Sequence, residues 1–192
     1  MARILIVAGD GNTPDLEYAA YRMREEKFQV TIAAPKKKRL HVVFYQLETG
    51  WDTHVERPWY PIDADAAFDE IDPSAFDALL LPGGRAPLYL RNIARCVDIV
   101  RHFVESDKPI GAICRGPLIL LEAGVKGRRL TGSNLIKPSV DLGGCTYVEE
   151  PREAVVDRNI VTATETHYFH AWIRAFLLIL RERGHMARER SI

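Results

Sequence analysis

The chain has 192 residues, of which 47% are hydrophobic and 27% are charged, and this is the composition of an ordinary globular protein of one domain. Lys plus Arg and Asp plus Glu are equal at 26 each, so no net charge exists to attract nucleic acid or an anionic membrane. The expected partners are a small-molecule or peptide substrate, with no nucleic acid and no membrane.

No apolar run approaches the roughly 18 residues that a membrane span needs, so we expect a cytoplasmic protein. Its cysteines, Cys96, Cys114 and Cys145, are odd in number and lack CxxC spacing. This pattern argues against both a disulfide framework and a zinc site, and it predicts reduced thiols.

Short apolar runs alternate with helical patterns along the first half of the chain. The predicted strands are residues 4–8, 28–33, 78–81 and 109–113, and the predicted helices are residues 14–26 and 88–105. Parallel strands need crossover connections, so this alternation predicts βαβ units. Strands that are apolar at every position have helices on both faces. The fold predicted is α/β, a flavodoxin-like doubly wound parallel sheet in a three-layer α/β/α sandwich.

The second half continues this pattern within a single domain that we expect to span residues 1–192. It predicts a helix over 116–122, a strand over 129–131, a hairpin that joins 153–156 to 160–162, and a final helix over 168–183. The polar residues 184–192 are expected to form a frayed tail.

Residues 40–61 are the least regular part and are rich in aromatic side chains, including Tyr45, Trp51, Trp59 and Tyr60. Aromatic residues outside a clear core period predict a β-hairpin or lid-like excursion that packs against something. Three alternatives remain open: the segment packs on its own domain, forms a subunit interface, or forms a wall of the active site.

The strongest chemical signal is a buried strand that leads to Cys114, followed by Arg115, Gly116 and a helix. A sharp strand-to-helix turn exposes a nucleophile at the carboxyl end of the sheet, where open α/β folds bind ligands. The helix N-terminus beside the sulfur predicts a lowered thiol pKa and an oxyanion hole. The alternative is a buried structural cysteine.

Two further segments are predicted to end at the same edge of the sheet. Gly83 and Gly84 follow a buried strand and allow the backbone to approach the crevice closely, although a simple tight turn explains most Gly-Gly pairs. Asp15 and Glu17 begin the first helix, where acids commonly complement the helix dipole. The sharper alternative is a buried acid that shares a proton with Cys114.

These segments resemble the PfpI (intracellular protease) branch of the ThiJ/PfpI superfamily, which is related to class I glutamine amidotransferase domains. The segment FDALLLPGGRAP at 76–87 resembles the family's FDALxLPGGRAP, AICRGP at 112–117 resembles its AICHGP elbow, and YFHAWIR at 168–174 resembles the start of its C-terminal helix. The resemblance implies that Glu17 touches the nucleophile. It also implies activity on small electrophiles or stress-related substrates, as hydrolase, deglycase or glyoxalase, in a homo-oligomer that uses no metal or organic cofactor.

Two positions depart from the family pattern. Arg115 stands where the elbow has His, and Leu88 stands where relatives have an acid that completes a site across a subunit boundary. Arg stays protonated and cannot act as a general base, but it can favour the thiolate of Cys114. His167 is the candidate for a substitute base, against the alternative of a polar residue at a helix start.

The expected catalytic residues are therefore Cys114, Glu17, Arg115 and His167, and the expected backbone donors are those of Gly83, Gly84 and Arg115. The principal alternative is a non-enzymatic redox sensor or chaperone-like oligomer that kept the elbow and lost its partners. A small-molecule binding module is a further alternative, and it would need a closed apolar pocket around Leu88.

Overall fold

A computed structural model describes residues 2–149 and 153–185. Its strands are β1 (Arg3–Val7), β2 (Gln29–Ala34), β3 (Arg39–Leu40), β4 (Val43–Gln46), β5 (Val55–Pro58), β6 (Ile62–Asp63), β7 (Ala66–Ala67), β8 (Ala78–Leu81), β9 (Ile110–Ile113), β10 (Arg129–Leu130), β11 (Thr146–Tyr147), β12 (Val155–Asp157) and β13 (Ile160–Ala163). Its α-helices are α1 (Asp15–Glu25), α2 (Ala86–Leu90), α3 (Ala94–Glu105), α4 (Pro117–Glu122), α5 (Lys137–Leu142) and α6 (Phe169–Glu182). Short 3₁₀ turns cover Phe68–Glu70, Pro73–Ala75, Asn134–Ile136 and Thr166–Tyr168.

The central sheet has seven strands in the order β12-β13-β9-β8-β1-β2-β7. All neighbours are parallel except β12, which pairs antiparallel with β13 through the predicted hairpin. The predicted α/β fold with a mostly parallel sheet is therefore confirmed. The carboxyl ends of β1, β8 and β9 are neighbours, which brings the segments after them to one edge.

Alternating side chains of the central strands pack into two hydrophobic cores, one on each face of the sheet. Leu5 and Leu79 face a core with α3 and α4, whereas Ile4 and Leu80 face a core with α1 and α6. Successive side chains of a strand point to opposite faces, so a strand buried on both faces is apolar throughout. The central strands thus form the middle layer of the predicted sandwich.

Some details differ from the sequence-based expectation. The predicted helix over 88–105 is two helices, α2 and α3, which are separated by residues 91–93. Asn92 lies in this break, and its side-chain amide donates to the Leu88 carbonyl at 3.2 Å. Such a side-chain bond competes with continued helix formation. Helix α5 was not predicted, and the short β10 pairs with β11 outside the central sheet.

The expected frayed tail lies outside the described residues from 186 onward. In the described part of the chain, none of the helices combines the length and the apolar character that crossing a bilayer would require.

Candidate active site

Cys114 directly follows β9 and adopts a left-handed backbone conformation with φ of 58°. A residue with a Cβ rarely adopts this conformation, and it costs about 1–3 kcal/mol unless the surroundings hold it. Here the Cys114 N–H donates to the Ala163 carbonyl at 3.0 Å, and its own carbonyl accepts from the Ser133 N–H at 2.9 Å. The elbow predicted from the sequence is therefore present, and two neighbouring segments hold it in place.

The glycine turn after β8 contacts the cysteine directly. Gly84 has φ of 82°, and its N–H group hydrogen-bonds the Cys114 sulfur. A Cβ on Gly83 would lie 2.6 Å from the Cys114 Cβ and 2.9 Å from Asp15 Oδ2, so a larger side chain does not fit. The structure thus brings Gly83, Gly84 and Cys114 together. Asn12 braces the turn, because its side-chain amide donates to the Gly83 carbonyl at 2.6 Å.

Asp15 is the carboxyl group that lies beside the cysteine, and it is completely buried. It accepts hydrogen bonds from Thr13 Oγ1 at 3.0 Å and from the Gly83 N–H at 3.3 Å. Burial raises its pKa from 3.8 to about 7, although these hydrogen bonds oppose the rise. At neutral pH this carboxyl group can therefore either hold or accept a proton.

The contact expected between Glu17 and Cys114 is not found. The Glu17 carboxylate instead accepts a hydrogen bond from the Trp59 indole N–H at 2.7 Å. With 3.6 residues per turn, two positions along a helix rotate a side chain by about 200°, so Asp15 and Glu17 cannot face the same site. Asp15 takes the inner position, and Glu17 points to the excursion.

The prediction that the Cys114 thiol has a lowered pKa is also wrong. Burial raises the pKa of the Cys114 thiol to about 11, and the negative charge of Asp15 contributes to the rise. The Gly84 N–H and the Arg115 guanidinium oppose this, but their effect is smaller. Helix α4 has only six residues, so it offers a short dipole, and Cys114 is only 8% exposed. Desolvation therefore outweighs the positive groups that the sequence made prominent.

The aromatic excursion contains the hairpin β4–β5, which forms one wall of a cavity of about 460 Å³ above Cys114. The cavity is lined by Thr13, Pro14, Phe44, Tyr45, Leu47, Asp52, Thr53, His54, Cys114, Arg115, Ser133, Asn134, Leu135, Glu165 and His167. Besides the Trp59–Glu17 bond, an ion pair joins Glu56 to Arg85 at 2.8 Å. Of the three alternatives for the excursion, the structure shows that it packs on its own domain and forms a wall of this cavity.

Arg115 also contacts the hairpin. Its guanidinium donates to the Tyr45 hydroxyl at 2.8 Å, and its Cζ lies 5.3 Å from the centre of the same ring. No local pattern in the sequence identifies this partner, because Tyr45 is 70 positions away in the chain.

The histidines separate into two places. His167 and His54 both line the cavity, and both are exposed. His170 instead lines a pocket between α1 and α6. Leu88, which is 48% exposed, is not among the cavity-lining residues. Within 2–149 and 153–185, no cluster of three or more His, Cys, Asp or Glu could hold a metal ion.

Comparison with known proteins agrees with this geometry. The model of the DJ-1/PfpI family matches residues 2–178. The chain belongs to the DJ-1/PfpI family. It is 37% identical over 182 residues to Deglycase TK1284 of Thermococcus kodakarensis. This alignment covers 93% of this chain and 99% of that protein. It is 35% identical over 182 residues to Deglycase PfpI of Pyrococcus furiosus, which covers 94% of this chain and 100% of the relative.

A solved structure shows the same fold. It is a two-domain protein from Anabaena variabilis that contains DJ-1/ThiJ/PfpI-like and ferritin-like domains, with a TM-score of 0.81 and 22% identity. The match covers 100% of this chain and 52% of that one, so the chain spans about half the length of the two-domain protein. The resemblance to the ThiJ/PfpI superfamily inferred from the sequence is thus confirmed.

Proposed function

We propose that this protein is a cysteine-dependent deglycase that acts on small carbonyl adducts and uses Cys114 as its nucleophile. The observation that carries the proposal is a strained cysteine inside a cavity, with the Gly84 N–H on its sulfur and the titratable carboxyl group of Asp15 beside it. The relatives named as deglycases support the class of reaction.

The chemistry begins from a protonated thiol, because the pKa of Cys114 is about 11. When the sulfur attacks a carbonyl carbon of the adduct, an S–C bond forms and the carbonyl π pair moves to oxygen. The thiol proton passes to Asp15, whose pKa of about 7 leaves it partly ionised at neutral pH. The new alkoxide takes a proton from the solvent side of the cavity, where His167 and His54 lie. On the neighbouring carbon, the bond to the sulfur or nitrogen of the adduct then breaks. The hydroxyl group on that carbon re-forms a carbonyl, and its proton goes to the leaving sulfur or nitrogen.

Peptide hydrolysis is a poorer fit to this site. Arg115 occupies the position next to the nucleophile, and a guanidinium neither takes nor gives a proton near neutral pH. An amide also needs a proton on its leaving nitrogen. We therefore propose that carbonyl addition proceeds while proteolysis stays near background.

The test measures release of free N-acetylcysteine from its methylglyoxal hemithioacetal. Cys114→Ser should reduce release to the uncatalysed rate, whereas Cys145→Ser should retain it, because Cys145 is buried and its sulfur donates to the Val125 carbonyl outside the cavity. Asp15→Asn should lower the rate by roughly 10²–10⁴, the usual contribution of a positioned base. Equal release by the wild type and Cys114→Ser would reject the proposal.

The two other interpretations of the sequence have weaker support. An oxidation sensor depends on thiolate, and the raised pKa of Cys114 disfavours that form. A binding module built around Leu88 would need Leu88 in the pocket, but the cavity lies elsewhere.

We also propose that the protein is cytoplasmic and forms a homodimer or a higher oligomer. The support for self-association is exposed apolar surface, because Trp51 and Tyr60 are 60% and 72% exposed and Leu88 is also open to solvent. Light scattering at micromolar concentration should give at least twice the mass of one chain, and a monomer would contradict the proposal.

A further inference from the structure

The guanidinium of Arg115 is a fixed positive charge in the wall of the reactive cavity. It is partly buried, and it lies next in sequence to the nucleophile. The Tyr45 hydroxyl accepts a hydrogen bond from one of its nitrogens, while the Tyr45 ring lies beside its carbon. Tyr45 therefore holds the guanidinium in place from the hairpin side without neutralising it.

No carboxylate of the described part of the chain forms an ion pair with Arg115. Neighbouring arginines do have such partners, since Arg85 pairs with Glu56 and Arg57 pairs with Glu48. Asp52 and Glu165 line the same cavity but are exposed. Arg115 thus retains N–H donors for an anion that enters the cavity.

A planar guanidinium binds carboxylates through paired N–H groups, and this interaction is stronger when water is partly excluded. A carboxylate bound there would sit near the Cys114 sulfur, because the two residues are adjacent and line one cavity. In a 2-oxo acid, the carboxylate carbon is bonded directly to the carbonyl carbon. A small 2-oxo acid could therefore present both groups at once.

We propose that Arg115 is a specificity-determining residue that selects substrates with a carboxylate on the carbon next to the reactive carbonyl, namely 2-oxo carboxylates and their adducts. The inference rests on the proposed function, since it names the substrate class of the same site. Arg115 binds the carboxylate and Cys114 adds to the carbonyl carbon. The S–C bond forms, the π pair moves to oxygen, the thiol proton goes to Asp15, and the oxygen takes a proton from solvent.

The test compares alkylation of Cys114 by iodoacetate, an anion, with alkylation by neutral iodoacetamide. Each reaction forms an S–C bond and expels iodide, so neither needs enzyme turnover. The ratio of the two rates cancels any change in thiolate fraction, and peptide mass spectrometry assigns the label to Cys114. N-Acetylcysteinamide, which has no carboxylate to repel iodoacetate, supplies the ratio of an unassisted thiol.

We expect the ratio of iodoacetate to iodoacetamide rates in the wild type to exceed that of N-acetylcysteinamide by about tenfold or more, as for one charge-assisted hydrogen bond. Arg115→Gln should return the ratio to that of the free thiol, and Arg115→Lys should keep part of the preference. Arg57→Gln is the matched control, because it removes an equal charge from the hairpin outside the cavity lining and should change nothing.

A second measurement does not depend on alkylation, which is slow at a buried thiol. Pyruvate should raise the melting temperature of the wild type more than pyruvamide does, and Arg115→Gln should abolish the difference. Equal ratios in the wild type and Arg115→Gln, or equal melting shifts with the two ligands, would overturn the inference. The N-acetylcysteine adduct has no carboxylate on the carbon next to its reactive carbonyl. Release of N-acetylcysteine would still be lost in Cys114→Ser, so the proposed function would survive that failure.

Discussion

Replacing Asp15 with asparagine should change how the stability of the protein depends on pH. The Asp15 carboxyl is completely buried, and its pKa rises from 3.8 to about 7 on folding. The folded protein therefore holds this proton more tightly than the unfolded chain does. Stability consequently falls as the pH rises from about 4 to about 7, and this contribution is constant above that range.

The magnitude follows from the size of the pKa shift. A rise from 3.8 to about 7 corresponds to about 4 kcal/mol of unfolding free energy, at roughly 1.4 kcal/mol for each pKa unit. The asparagine in Asp15→Asn would be neutral at every pH and would still offer an oxygen to the Thr13 hydroxyl. We therefore expect this variant to gain about 4 kcal/mol relative to the wild type between about pH 4 and about pH 8.

The assay is urea denaturation followed by tryptophan emission at fixed ionic strength, at several pH values across that range. Asp69→Asn is the matched control, because it makes the same replacement at an exposed carboxyl group. If the difference between Asp15→Asn and the wild type is the same at about pH 4 and about pH 8, Asp15 does not retain its proton on folding, and its assignment as the buried base is wrong.

Three further predictions concern the same site. Glu17→Gln should leave the pKa of Cys114 unchanged, whereas Asp15→Asn should lower it by removing a negative charge. Both effects are measured by titrating thiolate absorbance, with Cys114→Ser as the blank. Equal effects of the two substitutions would contradict the assignment of Asp15. Gly83→Ala should cost about 1–3 kcal/mol of unfolding free energy and suppress the release of N-acetylcysteine, because the Cβ of the alanine would overlap the Cys114 Cβ. A fully active and stable variant would disprove this packing. Arg115→His should raise the rate of peptide hydrolysis by up to roughly 10²–10⁴-fold, which a fluorogenic peptide measures. Efficient hydrolysis by the wild type would show that another residue already acts as the base.

Local patterns in the sequence were enough to predict the sheet and the elbow. The run of Ile4, Leu5, Ile6 and Val7 predicted a strand buried on both faces, and the structure places these side chains in two cores. Cys114 between a buried strand and a helix predicted the strained turn that φ of 58° shows. These features depend on the alternation and steric limits of neighbouring residues, which a linear sequence displays directly.

The electrostatics of the site depended on tertiary structure. The sequence does not show which of Asp15 and Glu17 faces the cysteine. The orientation of α1 against the sheet buries Asp15 beside Gly83 and leaves Glu17 to accept a hydrogen bond from Trp59. The sequence suggested an acidic Cys114, yet its pKa is raised, because burial by distant segments removes water from the thiolate.

The partner of Arg115 could not be predicted either, since Tyr45 lies 70 positions away on a hairpin whose fold-back is a tertiary event. The residue types at a site can thus be read from short segments of the chain. Their protonation, their partners and the ligand charge that they accept depend on desolvation and on contacts between segments distant in sequence, which exist only once the chain has folded.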